Sequence, residues 1–478
     1  MNTNYFDLAR ICRRYNTLPA ILSDELTLTY ADLDQAIPEV AATLSGLGIE
    51  KSERIAILRD ADADYIILLF ALWRIGAVAV PINPAFPAGQ IGRLLAQINC
   101  RAVICNAESR ALAEDTGIWI IENTNWRTAA DLDDSNILFP LDNDATIIFT
   151  SGSSGQAKAV LHSLGNHYYN ALGANKNMPL VPGDRWLLSL PLYHVGGLAI
   201  PFRVFFAGAA LVILKNQSRL AETIDRFRVT HVSLVGTQLY RLLKSPGLPK
   251  FRRNLKAVLL GGSRISNSLL EQAHEYGFPI HTSYGCTEMA SQVATTAPGD
   301  LSATLKTSGR VLDHREIKIA SDGEFLVRGK TLFRGYVEGN TIRSATNREG
   351  WFATGDLGKL DKNNNLIVLG RKDNMFISGG ENIFPEEIEQ VLNKLDNVIE
   401  SIVVGVTDQE FGMRPVAFLQ TIDDTLPDPA NINEQLSGEL PRFKIPRHIF
   451  LWPANKEKGL KADRQQFARL AAELTTHD

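Results

Sequence analysis

Short, nearly all-apolar runs recur along the first 370 residues, separated by stretches with helical spacing. The clearest are Arg54–Leu58, Ala102–Cys105, Thr146–Phe149, Trp186–Leu190, Ala210–Ile213, His231–Leu234 and Ala257–Leu260. A strand with one wet face alternates polar and apolar positions. These runs do not, so they predict strands buried on both faces, as in a layered α/β protein. The longest apolar run, Tyr65 to Trp73, is closed by Arg74 and predicts a buried helix. It is far short of the roughly 20 residues that cross a bilayer. From Arg310 to Val368 the texture changes to strands joined by turns such as Ser321-Asp322-Gly323, which predicts a small β-rich unit. The polar stretch Gly370–Asn374 then precedes a helix start at Pro385-Glu386-Glu387-Ile388, where proline opens the first turn and acids follow it. A boundary there divides the chain into a large N-terminal domain, 1–370, and a small α+β domain, 371–478.

Composition narrows the class. A chain of 478 residues exceeds one core, since single cores stop growing at roughly 250–300 residues. Net charge is −4, from 49 basic and 53 acidic residues, so no overall field draws the protein to nucleic acid or anionic lipid. Four cysteines, Cys12, Cys100, Cys105 and Cys286, have no metal-ligand spacing and are too few for a disulfide framework. The N-terminal residues hold no apolar stretch of signal-peptide length, so a reducing cytoplasm is the expected location.

Five stretches could carry chemistry. Thr150-Ser151-Gly152-Ser153-Ser154-Gly155-Gln156-Ala157-Lys158 follows a predicted strand directly. Its glycines permit close backbone approach, and its hydroxyls and lysine are donors for phosphate oxygens. It is not a Walker A loop, because no glycine immediately precedes the lysine and no Ser or Thr directly follows it. A polar linker is the alternative, and the strand leading into the loop argues against it. Tyr284-Gly285-Cys286-Thr287-Glu288 could hold a phosphate oxygen and Mg²⁺; alone it reads equally as a turn with Thr287 as a helix cap. In Trp351-Phe352-Ala353-Thr354-Gly355-Asp356, one carboxylate could accept from both hydroxyls of a ribose, or be an ordinary loop aspartate. Gly370-Arg371-Lys372-Asp373 could contact ribose or phosphate, or be a solvated charge cluster. Lys458-Gly459-Leu460-Lys461-Ala462-Asp463-Arg464 could place a lysine on a developing phosphoryl charge, or be a solvated face.

The ordered set decides what no single member can. In this order and at these separations the five resemble the signature of the adenylate-forming superfamily: acyl- and aryl-CoA synthetases, carrier-domain adenylation domains and beetle luciferases. Leu190-Pro191-Leu192-Tyr193-His194, Gly323–Gly329 and Gly335-Tyr336 add further matches. The resemblance implies a large N-terminal domain of two α/β subdomains plus a β-barrel subdomain, under a small mobile C-terminal lid. It implies ATP, Mg²⁺ and CoA, with a carboxylic acid as the fourth small-molecule partner and no nucleic acid. Thr150, Ser151, Gly152, Ser153, Ser154, Gly155 and Lys158 would cradle the ATP phosphates. Thr287 would meet the α-phosphate and Glu288 the Mg²⁺. Gly262, Tyr284 and Gly285 would line the nucleotide site, and Asp356 and Arg371 would bind the ribose. Lys461 would be the catalytic lysine of adenylation, His194 and Gly261 would line the acyl site, and Asp373 would be the hinge.

The chain departs from the common pattern at three places: Ala157 replaces a proline, Ile377 a lysine, and Leu460 separates Gly459 from Lys461. Lys461 keeps the usual three-residue offset to Arg464, and Lys458 is the fallback. Trp186–Val195, Leu234–Leu243, Ala257–Gly262, Ile377–Ile383 and Phe411–Val416 resemble the CoA ligases of menaquinone biosynthesis, whose aromatic acid keeps a second carboxylate. Burying that charge unpaired is very costly, so a cation is needed. Arg203, at the end of the apolar Leu198–Phe202 run, is the candidate; alternatively it pairs with an acid or points to solvent. Another acid–CoA ligase, a carrier-type adenylation enzyme, a luciferase-like oxygenase and a non-catalytic nucleotide-binding regulator are the competing readings. A homo-oligomer is left open.

Overall fold

A computed structural model describes residues 4–122, 138–150, 157–245, 252–262, 265–300, 304–453 and 464–475. The all-apolar runs form the middle of two large sheets. The first has eight strands in the spatial order Thr341–Arg343, Gly335–Glu338, Lys158–Ser163, Asp144–Thr150, Val78–Pro81, Arg54–Leu58, Ala102–Cys105 and Trp119–Glu122. The second has nine, in the order Arg310–Val311, Ser291–Thr295, Ile280–Cys286, Ala257–Leu260, His231–Leu234, Arg185–Leu188, Ala210–Ile213, Pro19–Leu22 and Thr27–Thr29. The run that begins at Trp186 leaves the sheet at Leu188, so the predicted strand is two residues too long. Pro191 follows soon after, and Ser189 turns its hydroxyl onto the Ser233 carbonyl.

Successive side chains of a strand point to opposite faces, and both faces are buried here. Ile55 and Ile57 join one apolar core while Ala56 and Leu58 join another. Trp186 and Leu188 share the core of Ile55, and Leu187 belongs to a third. One cluster thus takes a face from each sheet, with the helices Tyr30–Gly46, Ala63–Arg74 and Val195–Phe206 supplying side chains to it. Ala63–Arg74 is the predicted buried helix. It is apolar all round because both layers cover it, and Asp62 caps it by accepting from the Tyr65 N–H at 2.8 Å.

The predicted β-rich unit is a four-stranded antiparallel sheet, Arg315–Ile319, Glu324–Gly329, Phe352–Leu360 and Leu366–Arg371. This is the part the family resemblance describes as a β-barrel subdomain. Beyond it, helix Pro385–Leu392 starts where the sequence placed it, with proline in the first turn and Glu386 and Glu387 behind it. A three-stranded sheet, Val398–Asp408, Gly412–Thr421 and His448–Leu451, packs with helices Pro429–Glu439 and Arg464–Thr475. The apolar clusters of this part draw only on residues from Phe376 onward. Among the described residues no helix is long and apolar enough to cross a membrane.

Candidate active site

Asp356 and Arg371 face each other as register partners on adjacent antiparallel strands. The pairing puts the Arg371 Nη1 3.1 Å from Asp356 Oδ1, while the Tyr284 hydroxyl donates to Oδ2 at 2.6 Å. Asp356 is buried, and its backbone N–H donates to the Thr354 hydroxyl at 3.0 Å. Burial lowers the pKa of Arg371, but Asp356 and Asp373 more than offset it, so the net shift is upward. Burial first, and Asp356 second, push the Tyr284 phenol well up, which keeps its proton on the hydrogen bond. Three sequence-predicted nucleotide residues therefore meet at one carboxylate.

Tyr284 lies near the end of strand Ile280–Cys286, which runs into a 3₁₀ turn over Thr287–Met289. Thr287 is the first residue of that turn, not its cap; Cys286 occupies the cap position, with no side-chain hydrogen bond to the turn. Gly285 admits no side chain, since a Cβ there would stand 2.1 Å from the Ser291 carbonyl oxygen. Gly262 takes a positive φ of 89°, and a Cβ on Gly261 would stand 2.9 Å from the Ser283 hydroxyl. Both glycines follow strand Ala257–Leu260, beside the strand that carries Tyr284.

Glu288 accepts from the Tyr336 hydroxyl at 2.8 Å, and the Lys158 ammonium lies 5.3 Å from the centre of the Tyr336 ring. Tyr336 escaped the site prediction. Its place depends on strand Gly335–Glu338 pairing with Lys158–Ser163, a long-range register that local spacing does not reveal. Burial, then Glu288, push its phenol up. Among the described residues no group of three His, Cys, Asp or Glu side chains could hold a metal alone. A single carboxylate, Glu288, still fits Mg²⁺, which is usually held by one or two carboxylates together with substrate phosphates. Thr150 and Lys158 pair across strands at the two ends of the hydroxyl-rich loop. Ser151, Gly152, Ser153, Ser154 and Gly155 lie outside the described residues, as do Lys458 and Lys461. Arg464 opens the last helix and is tied to Glu389 at 2.5 Å and Glu386 at 3.7 Å.

Among the described residues Arg203 pairs with no acid, and it does not reach solvent. It is 1% exposed, and no ion pair is found for it among the described residues. Its Nη2 contacts the Ser291 hydroxyl at 3.3 Å, its guanidinium lies 5.5 Å from the Trp186 ring centre, and its Nε has no hydrogen-bond partner among the described residues. Burial alone pushes its pKa down to about 9. A second buried guanidinium, Arg315, makes the contrast. Its three nitrogens all donate to carbonyls, those of Asp313 at 3.1 Å, Gln292 at 2.5 Å and Asn170 at 3.2 Å. Arg203 has donors to spare, and Ser291 puts them beside the turn that carries Thr287 and Glu288. His194 is the exposed residue preceding helix Val195–Phe206, its ring 4.8 Å from that of Tyr193. One helix thus follows His194 directly and carries Arg203 near its end.

Such a fold and site define an enzyme that binds a nucleotide and activates an acid. The model of the AMP-binding enzyme family matches residues 8–337, and that of the AMP-binding enzyme C-terminal domain matches 387–458. The chain belongs to the AMP-binding enzyme family, an adenylate-forming superfamily. Within it, the chain is 33% identical over 425 residues to the 2-succinylbenzoate–CoA ligase of Listeria monocytogenes serotype 4b, covering 88% of this chain and 89% of that one. It also resembles the o-succinylbenzoate CoA synthetase of Bacillus subtilis in complex with the acyl-adenylate intermediate OSB-AMP. The TM-score there is 0.88 at 29% identity, covering 97% of this chain and 98% of that one. The same Bacillus enzyme in complex with ATP and magnesium ion gives a TM-score of 0.84 at 30% identity, covering 93% and 95%.

Proposed function

We infer that this chain joins 2-succinylbenzoate to CoA in menaquinone biosynthesis, at the expense of ATP and through an acyl-adenylate. The observation that carries the choice of acid is Arg203, a buried guanidinium with an unpartnered Nε and no acidic partner among the described residues. A protein that buries a lone cation loses solvation without return unless something negative arrives. 2-Succinylbenzoate has a carboxylate to activate and a second one to leave charged, and Arg203 is suited to the second.

In the first half-reaction a carboxylate oxygen of the succinyl group attacks the α-phosphorus of ATP. A new O–P bond forms and the bond to pyrophosphate breaks. Two anions must meet, so the barrier is largely electrostatic. Lys158 and the loop 150–158 suit the departing pyrophosphate, Thr287 the α-phosphate, and Asp356 with Arg371 the ribose. Mg²⁺, held at Glu288, would supply positive charge against the phosphate oxygens. Lys461 is proposed to stabilise the charge that develops at the α-phosphate. In the second half-reaction the CoA sulfur attacks the acyl carbon near His194, forming the C–S bond and releasing AMP. We propose residues 1–370 and 371–478 as the two domains and Asp373 as the pivot that exchanges the lysine for the thiol path, so one cleft serves both steps. ATP–pyrophosphate exchange with a panel of acids tests the reading: exchange stimulated best by 2-succinylbenzoate supports it.

A further inference from the structure

We propose that His162 is a positioning residue for adenylation, whose Nε2–H holds the Thr287 carbonyl and fixes the Thr287–Glu288 turn against the strand that carries Lys158. The inference rests on the proposed roles of Thr287 and Glu288. His162 is fully buried on strand Lys158–Ser163, and its Nε2 lies 2.7 Å from the Thr287 carbonyl oxygen. A carbonyl only accepts, so Nε2 must bear the proton. Burial pushes the imidazole down to about 4, so the ring is neutral at physiological pH and Nδ1 is an acceptor.

Side chains at 158, 160 and 162 share one face of the strand. Lys158 reaches the Tyr336 ring, which holds Glu288. Val160 packs in one cluster with Met289 and Tyr336. His162 takes the backbone of Thr287 itself. This strand face therefore meets the turn directly at the Thr287 carbonyl, through a shared apolar cluster at Met289, and by way of Tyr336 at Glu288. The grip has something to resist. Ala290 and Ser291, just beyond, have φ of 54° and 121°, left-handed values that non-glycine residues hold only when their surroundings over-determine them.

The other side of the imidazole is tethered too. The Thr146 hydroxyl lies 3.5 Å from His162 Nδ1 and 2.7 Å from His167 Nε2. His167 stacks on Phe202, centroids 5.0 Å apart at 12°, and Phe202 precedes Arg203. A buried chain of neutral polar groups thus joins the phosphate turn to the helix that carries the acyl-site cation.

The test compares His162→Leu, which keeps an apolar volume but has no donor, with His162→Gln, whose amide can donate. ATP–pyrophosphate exchange and melting temperature are measured for both. The expected result is a kcat lower by roughly tenfold in H162L, the scale of one lost hydrogen bond, with the KM for ATP within about twofold and H162Q largely restored. An unchanged kcat in H162L, or an equal loss in a folded H162Q, overturns the proposal. If H162L does not fold, Thr146→Val takes its place, removing the tether without changing the side-chain shape; a kcat equal to wild type then overturns it. Thr287→Ala runs in parallel. Full exchange in T287A would defeat the reading of Thr287, whereas loss in T287A with none in H162L defeats only the role given to His162.

Discussion

The Arg371 guanidinium and the Asp356 carboxylate are held 3.1 Å apart by the register of two neighbouring strands. With Tyr284 on its other oxygen, Asp356 is a preset acceptor whose geometry comes from strands rather than from a loop.

Asp356→Asn should therefore act on ATP and spare the acid. The amide keeps one acceptor but replaces the other oxygen with a donor, facing either Tyr284 or Arg371. A lost charged hydrogen bond is worth about 1.5–3 kcal/mol, so the KM for ATP should rise roughly 10–150-fold. The KM for the acid should stay within about twofold. Steady-state kinetics with each substrate varied in turn checks this, and a rise in ATP KM below about threefold removes Asp356 from the ribose site.

Much of this site is legible in the chain, and the rest is hidden for a definite reason. The buried strands announce themselves because both faces are apolar, and Pro385 marks its helix by its first-turn chemistry. Arg203 is conspicuous as the one charge in an apolar helix, Val195–Phe206. Its neighbours Ser291 and Trp186 are not, because they reach it from separate strands of the second sheet. His162 looks like an ordinary strand residue, and Tyr336 carries no role beyond its motif match, until the packing of the first sheet against the second brings the Thr287–Met289 turn to both. Thr287 resembled a cap because hydroxyls often open helices, but the 3₁₀ turn starts one residue earlier than that role requires.

Asp373→Pro should separate the two half-reactions. Proline fixes φ near −65° and would restrain the proposed pivot. The lost contact with Arg371, at 3.2 Å, is exposed and contributes little by itself. Adenylate formation should persist while thioester formation fails. Lys461→Ala should do the opposite, losing adenylation by about 10²–10³ in rate while pre-made acyl-adenylate is still converted. Rapid-quench assays of each half-reaction check both, and equal loss of the two steps in D373P would remove residue 373 as the pivot.

Stability should carry the signature of a buried neutral imidazole. Burial pushes His167 well below its ordinary value near 6.5. The unfolded chain then binds a proton that the folded one refuses, so this histidine costs stability as pH falls below about 6.5. Above pH 7 it has no effect. Glu389 and Glu400, pushed up by burial, act in the opposite sense, so a comparison with a variant isolates the histidine. Relative to His167→Phe, the wild type should lose up to about 1.4 kcal/mol per pH unit between pH 6 and 5. Urea unfolding of both proteins across that range measures it, and a difference independent of pH contradicts the assignment.

The central claim, that this site activates an acid bearing a second carboxylate, is tested most directly by ATP–pyrophosphate exchange with the wild type and Arg203→Ala. The acids compared are 2-succinylbenzoate, simple aromatic monoacids and long-chain fatty acids. The account predicts the highest kcat/KM for 2-succinylbenzoate, and a fall of about 10–150-fold for that acid in R203A, the range of a charged hydrogen bond, with the KM for ATP little changed. A wild-type preference for fatty acids, or undiminished exchange with 2-succinylbenzoate in R203A, would contradict it.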